Sequence, residues 1–102
     1  MSLFDLLRRP DLAQGLARAR STADAVLLDV RTPEEYAAGH VPGSVNLPLD
    51  RLGNIALPRE APLFVYCYSG ARSSQACRKL QAMGYRCENI GGLAQYRGDL
   101  ER

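Results

Sequence analysis

The chain has 102 residues, enough for one domain with a modest core, and its formal net charge of +2 is too small to argue for nucleic acid. Twelve of the 13 basic residues are Arg, scattered along the chain, and no stretch approaches the length of a transmembrane helix. Met1-Ser2-Leu3-Phe4-Asp5 lacks the basic and apolar regions of a secretory signal, so the expected location is the cytoplasm. Three cysteines, odd in number and without metal-ligand spacing, fit a reducing compartment better than a disulfide framework.

In chain order, residues 1–23 read as a helical segment in two pieces. Leu3, Phe4 and Leu7 form one apolar stripe; Pro10 then serves as the first residue of a second helix carrying Leu12, Leu16 and Ala19, which ends at Ser21-Thr22. The core spans about 24–98 of a single domain. Val26 to Val30 is a near-continuous apolar run that reads as a strand buried on both faces. Thr32, Pro33 and Glu35 supply an N-cap, a first helical residue and a capping box for a short helix that carries Tyr36 and stops at Gly39. His40-Val41-Pro42-Gly43 is a turn into a short strand near Ser44 to Leu47. A weak helix over Asp50 to Leu57, with Asp50 as N-cap, precedes a loop bracketed by Pro58 and Pro62.

Leu63 to Tyr66 is a short buried strand. A helix follows from near Arg72, with Ala76, Leu80 and Met83 on one face and Gly84 at its end. Arg86 to Ile90 is the last strand, and Gly91-Gly92 turns the chain into a short helix through Tyr96. Alternating strands and helices argue for an α/β protein with a parallel sheet covered on both faces. In such a sheet ligands bind at the carboxyl ends of the strands, where Cys67 falls.

The stretch between Cys67 and Arg72 carries the chemistry. A cysteine ahead of a helix N-terminus faces N–H groups that lack an intrahelical partner, and these donors favour a thiolate nucleophile. Gly70 lets the backbone curl so that successive N–H groups converge into an anion-binding nest. Arg72 adds a permanent charge with a planar fork of donors. Ser73 and Ser74 either cap the helix or donate to the site. Asp29 either orients the loop or Arg31, or makes an ordinary ion pair with Arg31 or another Arg. His40, the lone histidine, raises the possibility of a Cys/His dyad, with a structural turn as the favoured reading. Cys77 and Cys87 read as packing thiols, and either is a candidate to resolve an oxidised Cys67. Tyr68 either walls the pocket or packs beside it.

Cys67-Tyr68-Ser69-Gly70-Ala71-Arg72-Ser73 resembles the active-site loop of rhodanese domains, sulfurtransferases that carry sulfur as a cysteine persulfide. Leu28-Asp29-Val30-Arg31, Pro33-Glu34-Glu35-Tyr36, the run from Gly39-His40 to Leu47-Pro48, and Gly91-Gly92 resemble family landmarks in family order. Tyr96 departs from the pattern, standing where the family usually has Trp. The resemblance implies a rhodanese-like, mostly parallel sheet of four or five strands with helices on both faces. It also implies sulfane sulfur transfer from thiosulfate or another persulfide donor through a Cys67 persulfide to cyanide, a thiol or a protein acceptor. Cys67 and Arg72 are then the catalytic residues, with Tyr68, Ser69, Gly70, Ala71 and Ser73 around the substrate and Asp29 and Arg31 behind them. No metal, organic cofactor, nucleic-acid or membrane partner is expected. The alternatives are a cysteine phosphatase or arsenate reductase-like enzyme, whose loop has five intervening residues where this chain has four, and a non-catalytic regulatory binding module.

Overall fold

A computed structural model describes residues 10–102, so the expected stripe of Leu3, Phe4 and Leu7 lies outside the described residues. The helix that follows, α1 (Leu12–Arg20), is capped by Asp11, whose carboxylate accepts from Ala13 N at 2.9 Å. Pro10 therefore stands before the cap rather than at the first helical position: an Asp side chain able to satisfy a free N–H outcompetes it. Strand β1 (Val26–Asp29) leads through the capping box of Thr32 and Glu35 into α2 (Pro33–Ala38), as the local pattern predicts. Its first two residues are only half-buried, so it is less enclosed than its apolar run suggests. Strand β2 (Val45–Asn46) is brief. The expected helix at Asp50 is a 3₁₀ segment, Leu49–Asn54, which begins after Pro48 and has no side-chain cap. Gly53 and a non-helical Arg51 (φ −121°) keep it from settling into an α-helix.

Strand β3 (Leu63–Cys67) is buried throughout, α3 (Ala71–Ala82) follows, and Gly84 leaves it at φ +97°. Strand β4 (Cys87–Gly92) is longer than predicted because Gly91 and Gly92 are its last residues rather than a turn. A 3₁₀ turn, Leu93–Gln95, closes the element order. The strands form a sheet of order β2-β1-β3-β4, all parallel.

Alternation along β3 divides the core. Leu63, Val65 and Cys67 pack with Ala76, Cys77 and Leu80 of α3 and with Leu52, while Phe64 and Tyr66 pack with Leu12 and Leu16 of α1 and with Ile90. On the α1 side the approach is so close that a Cβ at Gly15 would stand 2.3 Å from Ile90 Cβ. Tyr96 is partly buried against the same cluster.

The end of β1 is held by a buried ion pair. Asp29 accepts from Arg31 N at 2.9 Å, from Nε at 3.0 Å and from Nη2 at 2.7 Å. Arg31 Nη2 also donates to Gly39 O at 2.7 Å, tying the strand end to the end of α2. Asp29 pairs with Arg31 and makes no hydrogen bond to the Cys67–Arg72 loop. His40 lies in a structural turn: Nδ1 is 2.8 Å from Tyr36 O, the ring stacks on Tyr36, and the backbone bridges to Glu101. Next to it Val41 N donates to the Tyr66 hydroxyl at 3.0 Å.

Replacing Asp29 with Ala leaves the Arg31 charge buried without its counter-ion. The expected cost is about 3–5 kcal/mol of stability, seen as a fall in the urea midpoint at unchanged slope.

Candidate active site

Strand β3 delivers Cys67 to the carboxyl edge of the sheet with no exposed surface. Tyr68 and Ser69 then cross β4, and Gly70 turns into α3 with φ +96°. At Gly70 the positive φ is what requires glycine, since a Cβ there would meet Gly91 Cα at an ordinary 3.6 Å. At Gly92 the requirement is space. A Cβ would stand 2.1 Å from Tyr68 O and 2.8 Å from Ser69 N. The loop thus lies directly on the backbone of β4, and Ala94 N donates to Tyr68 O at 2.9 Å to hold it there.

Around the sulfur, Gly70 N donates to Cys67 Sγ at 3.0 Å, and Ser73 Oγ lies 3.4 Å from it. Burial opposes ionisation of Cys67. The Ser73 hydroxyl and the backbone N–H groups of Ser73, Gly70 and Arg72 outweigh that penalty and hold the thiol below its usual value. Helix α3 has no side-chain cap, so neither Ser73 nor Ser74 plays that part. The N–H groups of Gly70, Arg72 and Ser73 instead serve the sulfur. Ser69 Oγ accepts from Ala71 N at 3.4 Å, and Tyr68 is half-exposed on the outer side of the loop.

Two residues of this site were not assigned to it by sequence. The first is Asn89. Its Oδ1 accepts from Ser73 Oγ at 2.7 Å and from Gly91 N at 3.0 Å, and its Nδ2 donates to Gly70 O at 3.2 Å. Ser73 has a single proton and also has Gly70 O at 3.1 Å, so Asn89 competes with the sulfur for it. The signal available in sequence was only a lone amide in the last strand. The second is Glu35. Its carboxylate takes Arg72 Nη1 at 2.6 Å and Nη2 at 3.0 Å, in addition to its capping of α2. The Arg72 hydrogen bonds hold the Glu35 carboxyl well below the carboxylate range, at about 2. Arg72 thus meets Cys67 through its backbone N–H, while its guanidinium fork is engaged by Glu35.

Beside this pair opens a cleft of about 330 Å³ lined by Val30, Thr32, Pro48, Leu49, Asp50, Arg72 and Lys79. A larger hollow of about 730 Å³, between Pro10–Ala13 and the chain near Tyr96, has none of Cys67, Arg72 or Ser73 in its walls. Asp29 and Arg31 engage each other rather than the loop. Cys77 and Cys87 pack around α3 as expected, but each sulfur meets the other's, not that of Cys67.

The family model of the rhodanese-like domain matches residues 12–98 of this chain. Thiosulfate sulfurtransferase PspE of Escherichia coli is 41% identical over 71 residues, covering 65% of this chain and 68% of that protein. A tRNA sulfurtransferase of Desulfurococcus amylolyticus is 38% identical over 80 residues, covering 78% of this chain; the chain spans only 16% of that relative's length. Among solved structures, a rhodanese with anions from Escherichia coli superposes with a TM-score of 0.67 at 34% identity, covering 76% of this chain and 98% of the other.

The hydrogen bonds at Cys67 predict its reactivity. In a chain with Cys77 and Cys87 replaced by Ser, the alkylation rate of Cys67 rises with pH through a midpoint below the free-thiol value of about 8.5. Ser73→Ala moves that midpoint upward, because the hydroxyl is the leading contribution that opposes burial.

Proposed function

The chain belongs to the rhodanese-like domain family, and from that premise we propose that it is a sulfurtransferase carrying sulfane sulfur as a persulfide on Cys67. The observation that carries the reading is a buried sulfur at the foot of α3, with Gly70 N–H at 3.0 Å and ionisation favoured despite burial. Such a thiolate is poised to attack, and the same donors accept the negative charge when it moves one atom outward.

In the first half-reaction the Cys67 thiolate attacks the outer sulfur of thiosulfate. The sulfur–sulfur bond of the donor breaks, sulfite leaves with the electron pair, and Cys67 holds a persulfide. In the second, cyanide or a thiolate attacks the terminal sulfur. The bond to Cys67 breaks, thiocyanate or a new persulfide departs, and the thiolate returns. Every electron pair is accounted for by donor and acceptor, so the scheme runs without metal or organic cofactor. Thiosulfate as a donor is supported by the name of the Escherichia coli relative. A protein persulfide donor or protein thiol acceptor fits the same chemistry, as does a reducing, cytoplasmic setting.

Arg72 is the proposed anion-binding charge. Its two Nη groups each give one hydrogen bond to Glu35, and its remaining donors are uncommitted among the described residues. Arg72 and Lys79 both line the adjoining cleft with Asp50, and Arg72 is paired there with Glu35. Tyr68, Ser69, Gly70, Ala71 and Ser73 form the rim and floor around the transferred atom.

Incubation with thiosulfate and no acceptor should add one sulfur atom to the peptide containing Cys67, and cyanide or a reducing thiol should remove it. Cys67→Ser should abolish the adduct, whereas Cys77→Ser and Cys87→Ser should keep it. A folded, reduced protein that stays unmodified by thiosulfate and by persulfide donors would overturn the proposal.

Kinetics test the role of Arg72. Arg72→Ala should lower the transfer rate on the order of a hundredfold, and Arg72→Lys should restore only part of it, because Lys lacks the planar fork.

A further inference from the structure

Helix α3 and strand β4 meet along a seam with two polar contacts between their side chains. At the loop end, Ser73 faces Asn89. Further along, Cys77 of α3 faces Cys87 of β4, and the two sulfurs lie 2.6 Å apart. Both thiols are free. Sulfurs in a disulfide stand about 2.0 Å apart, so these two need little displacement to bond. Their sites differ: Cys77 is buried in the cluster under the sheet, whereas Cys87, at the start of β4, is half-buried. Burial in an apolar cluster explains the presence of one thiol at each position. It does not require that the two sulfurs face each other.

We propose that Cys77 and Cys87 form a redox centre separate from Cys67, a dithiol that a hydroperoxide closes to a disulfide stapling α3 to β4. The two positions are unequal in access: Cys87 is half-buried at the start of β4, whereas Cys77 lies within the cluster. One thiolate of the pair attacks one peroxide oxygen, the oxygen–oxygen bond breaks, and hydroxide leaves, giving a sulfenic acid. The sulfur of the other cysteine then attacks that sulfur, the sulfur–oxygen bond breaks, and water leaves. Two thiols and one hydrogen peroxide become one disulfide and two waters. A small oxidant suits a partly covered pair, and a reducing dithiol reverses the closure by exchange.

The consequence lies in what the staple joins. Helix α3 supplies the N–H groups around Cys67, and β4 supplies Asn89 and the Gly92 surface on which the loop rests. Closure fixes the seam that holds both.

The experiment treats the folded chain, and in parallel its Cys67→Ser variant, with hydrogen peroxide. The protein is then blocked with an alkylating agent, digested with trypsin without reductant and read by mass. Trypsin places Cys67, Cys77 and Cys87 in three different peptides, residues 60–72, 73–78 and 87–97, so the connectivity is explicit. The expected product is a linked species of 73–78 and 87–97, lighter by two hydrogens than the two free peptides, present in both chains and separated by dithiothreitol. Recovery of 73–78 and 87–97 only as unlinked alkylated or oxygenated peptides would overturn the proposal. So would a link from either of them to residues 60–72, or one found only in dimers.

Discussion

A sulfur atom with no exposed surface can carry negative charge only if the protein replaces the water it has lost. Around Cys67 that replacement is made largely by backbone: the N–H groups of Gly70, Arg72 and Ser73, joined by one hydroxyl. These donors need no side-chain rearrangement to act, and the start of α3 presents them because no capping side chain occupies them first. The rest of the fold keeps that geometry in place. Strand β3 fixes the sulfur from one side, and Gly92 at the end of β4 lets the loop settle where a side chain would collide with Tyr68.

Charge around the site is arranged in two separate pairs. Asp29 and Arg31 are almost fully buried and are satisfied within the strand end that they stabilise. Glu35 and Arg72 lie at the mouth, each about one-third exposed. Glu35 has two further bonds as well, since its carboxylate also accepts from the backbone N–H and hydroxyl of Thr32 and so closes the capping box of α2. The guanidinium is thereby held in one orientation by a short helix whose own start depends on the same residue. Arg72 is thus a cation already positioned and partly neutralised.

Features set by neighbours in sequence were legible before the structure. The capping box of Thr32 and Glu35, the helix from the loop to Gly84, and the position of Cys67 at a strand end all follow from spacing over a few residues. Features set by register were not. Asn89 reaches the site because β4 pairs with β3 at Val65, with an irregularity just after it, and no local pattern encodes that pairing. The same holds for the second partner of Glu35 and for the meeting of Cys77 with Cys87. Gly91-Gly92 was misread for a related reason: a glycine pair signals a turn locally, whereas here it answers the close approach of another part of the backbone. At Pro10, a residue permitted at the first helical position gave way to an adjacent Asp that caps outright.

An open parallel sheet has two edges, and each is a template on which another chain can pair. Here neither offers a long, flat ladder. The β2 edge is two residues long. The β4 edge is interrupted near its carboxyl end, where the register shifts and Gly91 takes φ +102°, and at its other end it carries the exposed ion pair of Glu88 with Arg18. The irregularity beside the loop's resting place therefore also interrupts the ladder that a second copy would have to match. Resistance to strand-mediated self-association thus comes from Gly91, the immediate neighbour of the glycine on which the loop rests.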